Sequence, residues 1–564
     1  MSCSIRSALG LAIFISLAFK FVAAPQTESP VQFVNIATQA KIAFKHENGA
    51  SPQKYMPETM AGGSIFLDYN NDGWPDIFFV NGGSFTDKQK AAAARHRLYR
   101  NNKDGTFTDV TAASGIGVSG FGMGACSADI DNDGFADLYV TSFGGNKLYH
   151  NNGDGTFADV TAKAGVGAQS WSTSCAFGDI DNDGHVDLFV TNYVDFSVKN
   201  NKYCFFFGDT RAYCHPNVYN GLSDILYRNN GDGTFTDVSK QAGISRTDGK
   251  GLGVVFGDYD NDGWPDIFVG NDSVPNFLFH NKGKGIFEEV GLIAGVAVGN
   301  DGQPLAGMGV DMGDIDGDGL LDIIVTNLDR QTHSLYRNLG KRLFANITFE
   351  SGVAEATLPF VGFGAVFLDY DNDTDLDLAI ANGDVIDNVS LFRDSTSYAQ
   401  RNLLLQNDGT GKFKDVGPAS GPGFAIKKPS RSLSVADIDN DGDLDLLIGN
   451  VGDTPDLLRN DGGNKNNSIL IRTVGTKSNR DGIGARLKLT VGGKVFIREV
   501  KAGSSYLSQS DMRVHFGMGR AARAEKLEIR WPSGTMETVN DVAANEILTI
   551  TEGQGVTNRT PFRR

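Results

Sequence analysis

A nine-residue acidic pattern recurs seven times along the chain and limits its possible folds more than any other feature. It reads DYNNDGWPD at 68–76, DIDNDGFAD at 129–137, DIDNDGHVD at 179–187 and DYDNDGWPD at 258–266. It continues as DIDGDGLLD at 314–322, DYDNDTDLD at 369–377 and DIDNDGDLD at 437–445. Start-to-start spacings are 61, 50, 79, 56, 55 and 68 residues. A period this long, holding several strands, points to a propeller and not to a nine-residue β-roll.

Each pattern sits inside a larger unit. A glycine-rich apolar strand precedes it, as in GVVFGD, and a second follows, as in DIFVGN. A third strand (LYRNN) and a turn lead to a fourth (TFTDVT). Asp-Gly pairs at 104–105, 154–155 and 232–233 are hairpin signals. Four antiparallel strands make one blade, so the expected fold is all-β, a seven-bladed β-propeller over 31–463. The seventh unit lacks its fourth strand after LLRNDGG. VQFVNIATQAKIAF at 31–44 is expected to supply it, closing the last blade and protecting an open edge. From about Ser468 the pattern gives way to strands such as ARLKLTV and KLEIRW. These read as a separate β-sandwich-like domain over 468–552, followed by a mobile tail at 553–564.

The loops carry the chemistry. Positions 1, 3, 5 and 9 are Asp68, Asn70, Asp72 and Asp76 in the first loop, and Asp129, Asp131, Asp133 and Asp137 in the second. The third holds Asp179, Asp181, Asp183 and Asp187, and the fourth Asp258, Asp260, Asp262 and Asp266. The fifth holds Asp314, Asp316, Asp318 and Asp322, the sixth Asp369, Asp371, Asp373 and Asp377, and the seventh Asp437, Asp439, Asp441 and Asp445. Calcium takes six to eight oxygen ligands in flexible geometry. D-x-D-x-D-G offers three of them on one side of a tight bend; the position-seven carbonyl and the position-nine aspartate close the cage. Magnesium demands stricter octahedral geometry, and softer metals want Cys or His. Asp, Asn and Gly also build ordinary turns, but seven copies in register argue for ions. Seven divalent ions would supply +14 against a formal charge of −17. In the sixth loop Thr374 stands where the bend wants glycine, with Asp375 beside it. A β-branched residue tolerates positive φ poorly, so this site is expected to be the weakest or differently shaped.

The chain starts with Arg6, an apolar run from Ala8 to Phe19, and small residues at Val22 and Ala24. Residues 1–24 read as a secretory signal peptide, with an uncleaved anchor as the alternative. No later stretch reaches the ~20 apolar residues of a membrane span. The protein is therefore expected to be secreted or extracellular (periplasmic or at the cell surface in a bacterium). No Lys/Arg cluster offers a nucleic-acid surface. After leader removal four cysteines remain. Cys204 and Cys214 bracket a short loop and are the expected disulfide. Cys126 and Cys175 precede equivalent acidic loops and read at least as well as two free buried thiols.

The longest insertions, 82–97, 193–223 and 384–402, all fall between the second and third strands of a unit. That places them on the face opposite the acidic loops and marks this face as the candidate binding surface. Tyr203, Phe206, Arg211, Tyr213, His215 and Tyr219 in the second insertion are the candidate ligand residues. They read equally as a sugar- or protein-binding set and as packing of the loop onto the disc.

These motifs resemble the FG-GAP/VCBS repeats of the integrin α-chain propeller, over roughly 31–463. NRDGIGARL (479–487), GSSYLSQS (503–510), HFGMG (515–519) and IRWPSG (529–534) resemble the ASPIC/UnbV domain. The combination is similar to the cartilage acidic protein family. That resemblance implies extracellular location and calcium binding; it implies no established catalysis and names no ligand. The leading expectation is a non-catalytic adhesion or scaffold module that binds an extracellular protein or glycan. A calcium-dependent polysaccharide lyase or glycosidase is the alternative, and it needs acids or a Lys/Tyr/His group converging in the central funnel. A structural module docked to a larger envelope assembly is a third reading.

Overall fold

The computed structural model describes residues 31–117 and 120–563. The expected signal peptide, Cys3 included, lies outside the described residues. Among the described residues, seven antiparallel units of four strands follow one another along the chain. Their first strands are Ser64–Leu67, Phe121–Ala128, Ser172–Gly178, Gly251–Gly257, Val310–Gly313, Gly362–Leu368 and Ser430–Ala436. Each packs against the next, and the last returns to the first, so the sheets form a closed ring. Gln32–Asn35 pairs antiparallel with Asp456–Asp461 as the outer strand of the sheet begun by Ser430–Ala436. This pairing carries the N-terminal segment into the last sheet of the ring.

The fourth strands are shorter than their sequence runs suggest. Phe107–Asp109, Phe157–Asp159 and Phe235–Asp237 span three residues each. One-turn helices follow because the last aspartate captures the chain. Asp109 accepts from the Thr111 N–H, Asp159 from Thr161 and Asp237 from Ser239. Such side-chain capture competes with continued strand pairing.

Residues from Asn467 on form two four-stranded sheets. Asn467–Val474, Val514–Gly519, Glu546–Thr551 and Gly555–Pro561 make one; Arg486–Val491, Lys494–Glu499, Arg523–Arg530 and Met536–Ala543 make the other. Buried Ile469, Ile471, Leu487, Leu527, Trp531 and Leu548 fill the space between them. Two expectations are corrected here. The supposed mobile tail is ordered: Gly555–Pro561 pairs with Glu546–Thr551, and buried Phe562 follows it. Nor is the domain separate, because its core runs on into Cys126, Tyr139, Phe177 and Leu188 of the second and third sheets.

The strongest link between the two parts runs along the ring axis. Residues 501–509 leave the C-terminal domain and enter the channel lined by the first strands. Tyr506 and Leu507 are fully buried there. Ser508–Gln509 adds to Ser64–Leu67 as a short parallel strand. Ser505 and Val310 exchange backbone hydrogen bonds. The Ser505 hydroxyl accepts from the Ala365 N–H, the Ser508 hydroxyl donates to the Leu433 carbonyl, and Gln509 bonds Ser127. Phe177 N–H donates to the Ala502 carbonyl. Some first-strand glycines make room for this plug. A Cβ on Gly124 would lie 2.8 Å from the Leu507 Cα, and one on Gly253 would lie 2.8 Å from the Ser505 carbonyl oxygen. The glycine-rich strands thus serve close approach as well as turns.

Two disulfides are present, Cys204–Cys214 and Cys126–Cys175. The second joins the first strands of neighbouring sheets, so the reading of Cys126 and Cys175 as free buried thiols is corrected.

Candidate metal centres

All seven acidic loops adopt one geometry, and its hydrogen bonds divide the carboxylates by task. The position-one aspartate accepts from the position-five and position-six N–H groups, as Asp179 does from Asp183 and Gly184, both at 3.0 Å. The position-five aspartate accepts from the position-seven N–H, as Asp183 does from His185 at 2.9 Å. The position-nine aspartate opens the second strand and is buried in every loop. These three carboxylates hold the loop in shape.

Position three has little of this work. In the first, second and fourth loops the loop backbone gives Asn70, Asp131 and Asp260 only long contacts of 3.3–3.4 Å from the position-five N–H, which already serves position one, and Arg342 donates to the second oxygen of Asp260 at 2.6 Å. In the third, fifth, sixth and seventh loops one buried oxygen of Asp181, Asp316, Asp371 and Asp439 has no partner. Buried Asp76 at position nine of the first loop likewise has an unpartnered oxygen, as does Asp443 at position seven of the last. Turn formation explains positions one and five; it does not explain a buried carboxylate oxygen left without a partner. Such an oxygen could hold a divalent cation. Asp129, Asp131 and Asp133 converge within metal-ligating reach, as do Asp258, Asp260 and Asp262, and Asp179, Asp181 and Asp187.

The electrostatics agree. Burial pushes Asp179 up to about 7. Burial, with repulsion from Asp481, pushes Asp129 up to about 8. Asp437 rises to about 8 through burial, against the opposing pull of Arg513. Carboxylates crowded and buried this way are relieved either by a proton or by a bound cation. The residues fit hard, oxygen-bound calcium: Asp, Asn and a backbone carbonyl supply the donors.

The sixth loop keeps the common shape at a cost. Glycine at position six of the other loops has φ between 82° and 98°, and Thr374 is held at 96°. Its N–H still donates to Asp369 at 3.0 Å.

One functional set was present in the repeats but not recognised from sequence. The first asparagine after the third-strand aromatic or Leu is repeated in every unit: Asn101, Asn151, Asn229, Asn281, Asn338, Asn407 and Asn460. Its N–H donates to the position-nine carboxylate of its own loop, as Asn229 does to Asp187 at 2.8 Å. Its amide donates to two carbonyls, one in its own loop and one in the preceding loop. For Asn229 these are Val186 at 3.1 Å and Ile130 at 2.8 Å. The residue before it faces position three: His150 and His280 approach Asp131 and Asp260 at 3.6 and 3.7 Å, and Gln406 donates to Asp371.

The C-terminal domain lies over the loops. Arg513 donates to the Gly73 carbonyl and to Asn440, and Arg486 to the carbonyls of Asp258 and Gly319. Arg530 pairs with Asp258.

The opposite face is built from the insertions and the segment before the first sheet. Tyr213 and Tyr219 are buried, and Tyr213 donates to Glu58, so their role is packing. His215 is exposed and accepts from the Asn217 N–H. Tyr203 is 68% exposed, with the Arg211 guanidinium 3.8 Å from its ring centre. The Phe206 side chain lies outside the described residues. Lys54 pairs with Asp387 at 2.5 Å, and Asn388 donates to the Arg211 carbonyl, tying the insertions into one cap.

Comparison with known proteins places this geometry. A model described as FG-GAP-like repeat matches residues 68–140, 129–190, 218–269, 258–325, 314–380 and 369–448. A model described as ASPIC and UnbV matches 475–557. Cartilage acidic protein 1 of Homo sapiens is 30% identical over 324 residues, 56% of this chain and 46% of that protein. Its Mus musculus counterpart is 29% identical over 325 residues, 56% of this chain and 47% of that protein. The chain thus spans about half the length of these curated relatives. A solved Agrocybe aegerita lectin that recognises non-reducing terminal N-acetylglucosamine aligns at 17% identity. That alignment covers 65% of this chain and 84% of the lectin, with a TM-score of 0.37.

Proposed function

The chain belongs to the FG-GAP-like repeat family and carries a C-terminal ASPIC and UnbV domain, and on that premise we propose an extracellular, calcium-braced binding module. It acts without catalysis, as an adhesion or scaffold protein, and presents its insertion face to a protein or glycan. The observation that carries the calcium part is the position-three carboxylate of four loops, each with one buried, unpartnered oxygen while its neighbours hold the loop. Asp181, Asp316, Asp371 and Asp439 each keep one oxygen that no group of the fold uses and that an ion would take. When bound, calcium offsets part of the charge of each cage and stiffens the turn between first and second strands.

The axial plug favours a binding role over the lyase or glycosidase alternative. Tyr506 and Leu507 occupy the funnel in which such an enzyme would gather its acids. The C-terminal domain covers the loop face, which leaves the insertion face for a partner. There Tyr203 and the exposed Phe205 stand on a hairpin closed by Cys204–Cys214, with Arg211 beside them. An exposed aromatic pair with an arginine suits stacking on a sugar ring or anchoring to a protein. Extracellular placement is supported by the two disulfides. Among the described residues no helix is long and apolar enough to cross a membrane.

The test is a glycan array and a pull-down with the full chain, with and without calcium, repeated with Tyr203→Ala. Calcium-dependent capture that the substitution abolishes supports the reading. Turnover of a polysaccharide without such capture would sink it.

A further inference from the structure

In six of the seven loops the fourth residue touches the next loop. Position four has positive φ throughout: 54–64° for the six asparagines and 73° for Gly317. Asparagine tolerates this region, and its short amide is left pointing sideways along the rim. Asn71 donates to the Gly134 carbonyl at 3.2 Å, Asn132 to Gly184 at 3.0 Å and Asn182 to Gly263 at 3.0 Å. Asn261 donates to Gly319 at 3.4 Å, Asn372 to Gly442 at 2.9 Å and Asn440 to Gly73 at 3.3 Å. In each case the acceptor is the position-six carbonyl of the next loop. The series runs from the sixth loop through the seventh and first to the fifth. There Gly317 has no side chain to pass it on to Thr374.

We propose that metal loading is relayed around the ring through these asparagines and that the relay is broken once, between the fifth and sixth loops. The inference rests on the metal-cage reading above. The position-six carbonyl shares its peptide plane with the position-seven N–H, and that N–H holds the position-five carboxylate, as Trp264 N–H holds Asp262 at 3.0 Å. An ion drawing in the position-three and position-five carboxylates of one loop fixes the asparagine between them. The asparagine then fixes the plane that aims a carboxylate at the next ion. Ordering one site lowers the ordering cost of the next, which is positive cooperativity.

The full chain, stripped of metal with a chelator, is titrated with calcium by calorimetry and by tryptophan fluorescence. Trp74 and Trp264, at position seven of the first and fourth loops, report on those sites. The native chain should load with a Hill coefficient above one. Asn182→Ala should keep its ion count but load the fourth loop at about five-fold higher calcium or more. Gly317→Asn, which supplies the missing link, should steepen the titration and lower the midpoint; it decides the matter if Asn182→Ala fails to fold. Calcium uptake with both variants titrating like the native chain would overturn the relay and leave the cages standing. No calcium uptake at all would overturn both.

Discussion

The Tyr506 hydroxyl donates to the Met60 carbonyl at 2.8 Å, joining the C-terminal domain to the opposite face through the centre of the ring. The two residues are 446 apart in sequence. Tyr506 is fully buried against Phe363, and Leu507 against Gly124. The C-terminal domain is therefore part of the propeller's core. Tyr506→Ala is expected to cost about 3–5 kcal/mol, the range for deleting a large buried aromatic. Urea unfolding of the full chain measures this. A truncation after residue 463 should not yield a propeller of native stability. A truncated ring that melts like the full chain would refute the axial role.

Asn229 donates three bonds in buried surroundings, two of them to carbonyls of different loops, and its side-chain oxygen accepts from the Gly231 N–H. Asn229→Ala strands two buried acceptors and is expected to cost at least about 2 kcal/mol. The neighbouring Asn230 is exposed and bonds locally to Thr234. Its alanine variant should stay within about 0.5 kcal/mol of the native chain. Equal losses in thermal melts would show that the stitch between blades contributes nothing.

Thr374 occupies a conformation that favours glycine. Thr374→Gly should raise the melting temperature in calcium, by relief of about 1 kcal/mol or more of backbone strain. The extra freedom of glycine in the unfolded chain offsets part of this gain. A lower melting temperature would mean that the threonine side chain makes a contact worth more than the strain.

Buried Asp129, Asp179 and Asp437 have folded-state values near 8, 7 and 8, above the ordinary aspartate value of 3.8. For a raised acid the folded state holds the proton more tightly. The stability that these groups contribute to the metal-free chain is thus fully present below about pH 4 and lost as pH rises through about 8. Chelated protein should melt lower at pH 8 than at pH 5.5. Calcium replaces the protons, so its stabilising effect should be larger at pH 8 than at pH 5.5. Melting curves at both pH values, with calcium and with chelator, check the sign.

Much of the architecture was legible because the repeats report it many times over. Seven Asp-rich loops mark seven first-to-second strand turns, and the local chemistry of Asp, Asn and Gly fixes each turn wherever it occurs. The third-strand asparagines, from Asn101 to Asn460, were equally visible as a repeat. Their task was not, since it depends on how one blade sits against the last. The plug was hidden for a related reason. GSSYLSQS has no strand or helix period, and its partners, from Met60 to Leu433, are supplied by the assembled ring. Cys126 and Cys175 precede equivalent loops, a clue to their pairing that only the adjacency of the second and third sheets makes decisive. The C-terminal strand Gly555–Pro561 is largely exposed and polar, so its apolar pattern was too weak to distinguish it from a tail.

The central claim is that position three of the loops exists for an ion and not for the turn. Asp181→Asn tests it most directly, because one Asp181 oxygen is buried without a partner while Asp179 holds two backbone N–H groups. Calcium content and melting temperature are measured for native, Asp181→Asn and Asp179→Asn chains, each loaded and stripped. The account predicts that Asp181→Asn loses calcium affinity at one site yet melts like the native chain when all are stripped. Asp179→Asn should melt lower even without metal. A native chain that takes up no calcium, or an Asp181→Asn chain destabilised as much as Asp179→Asn in the stripped state, would contradict it.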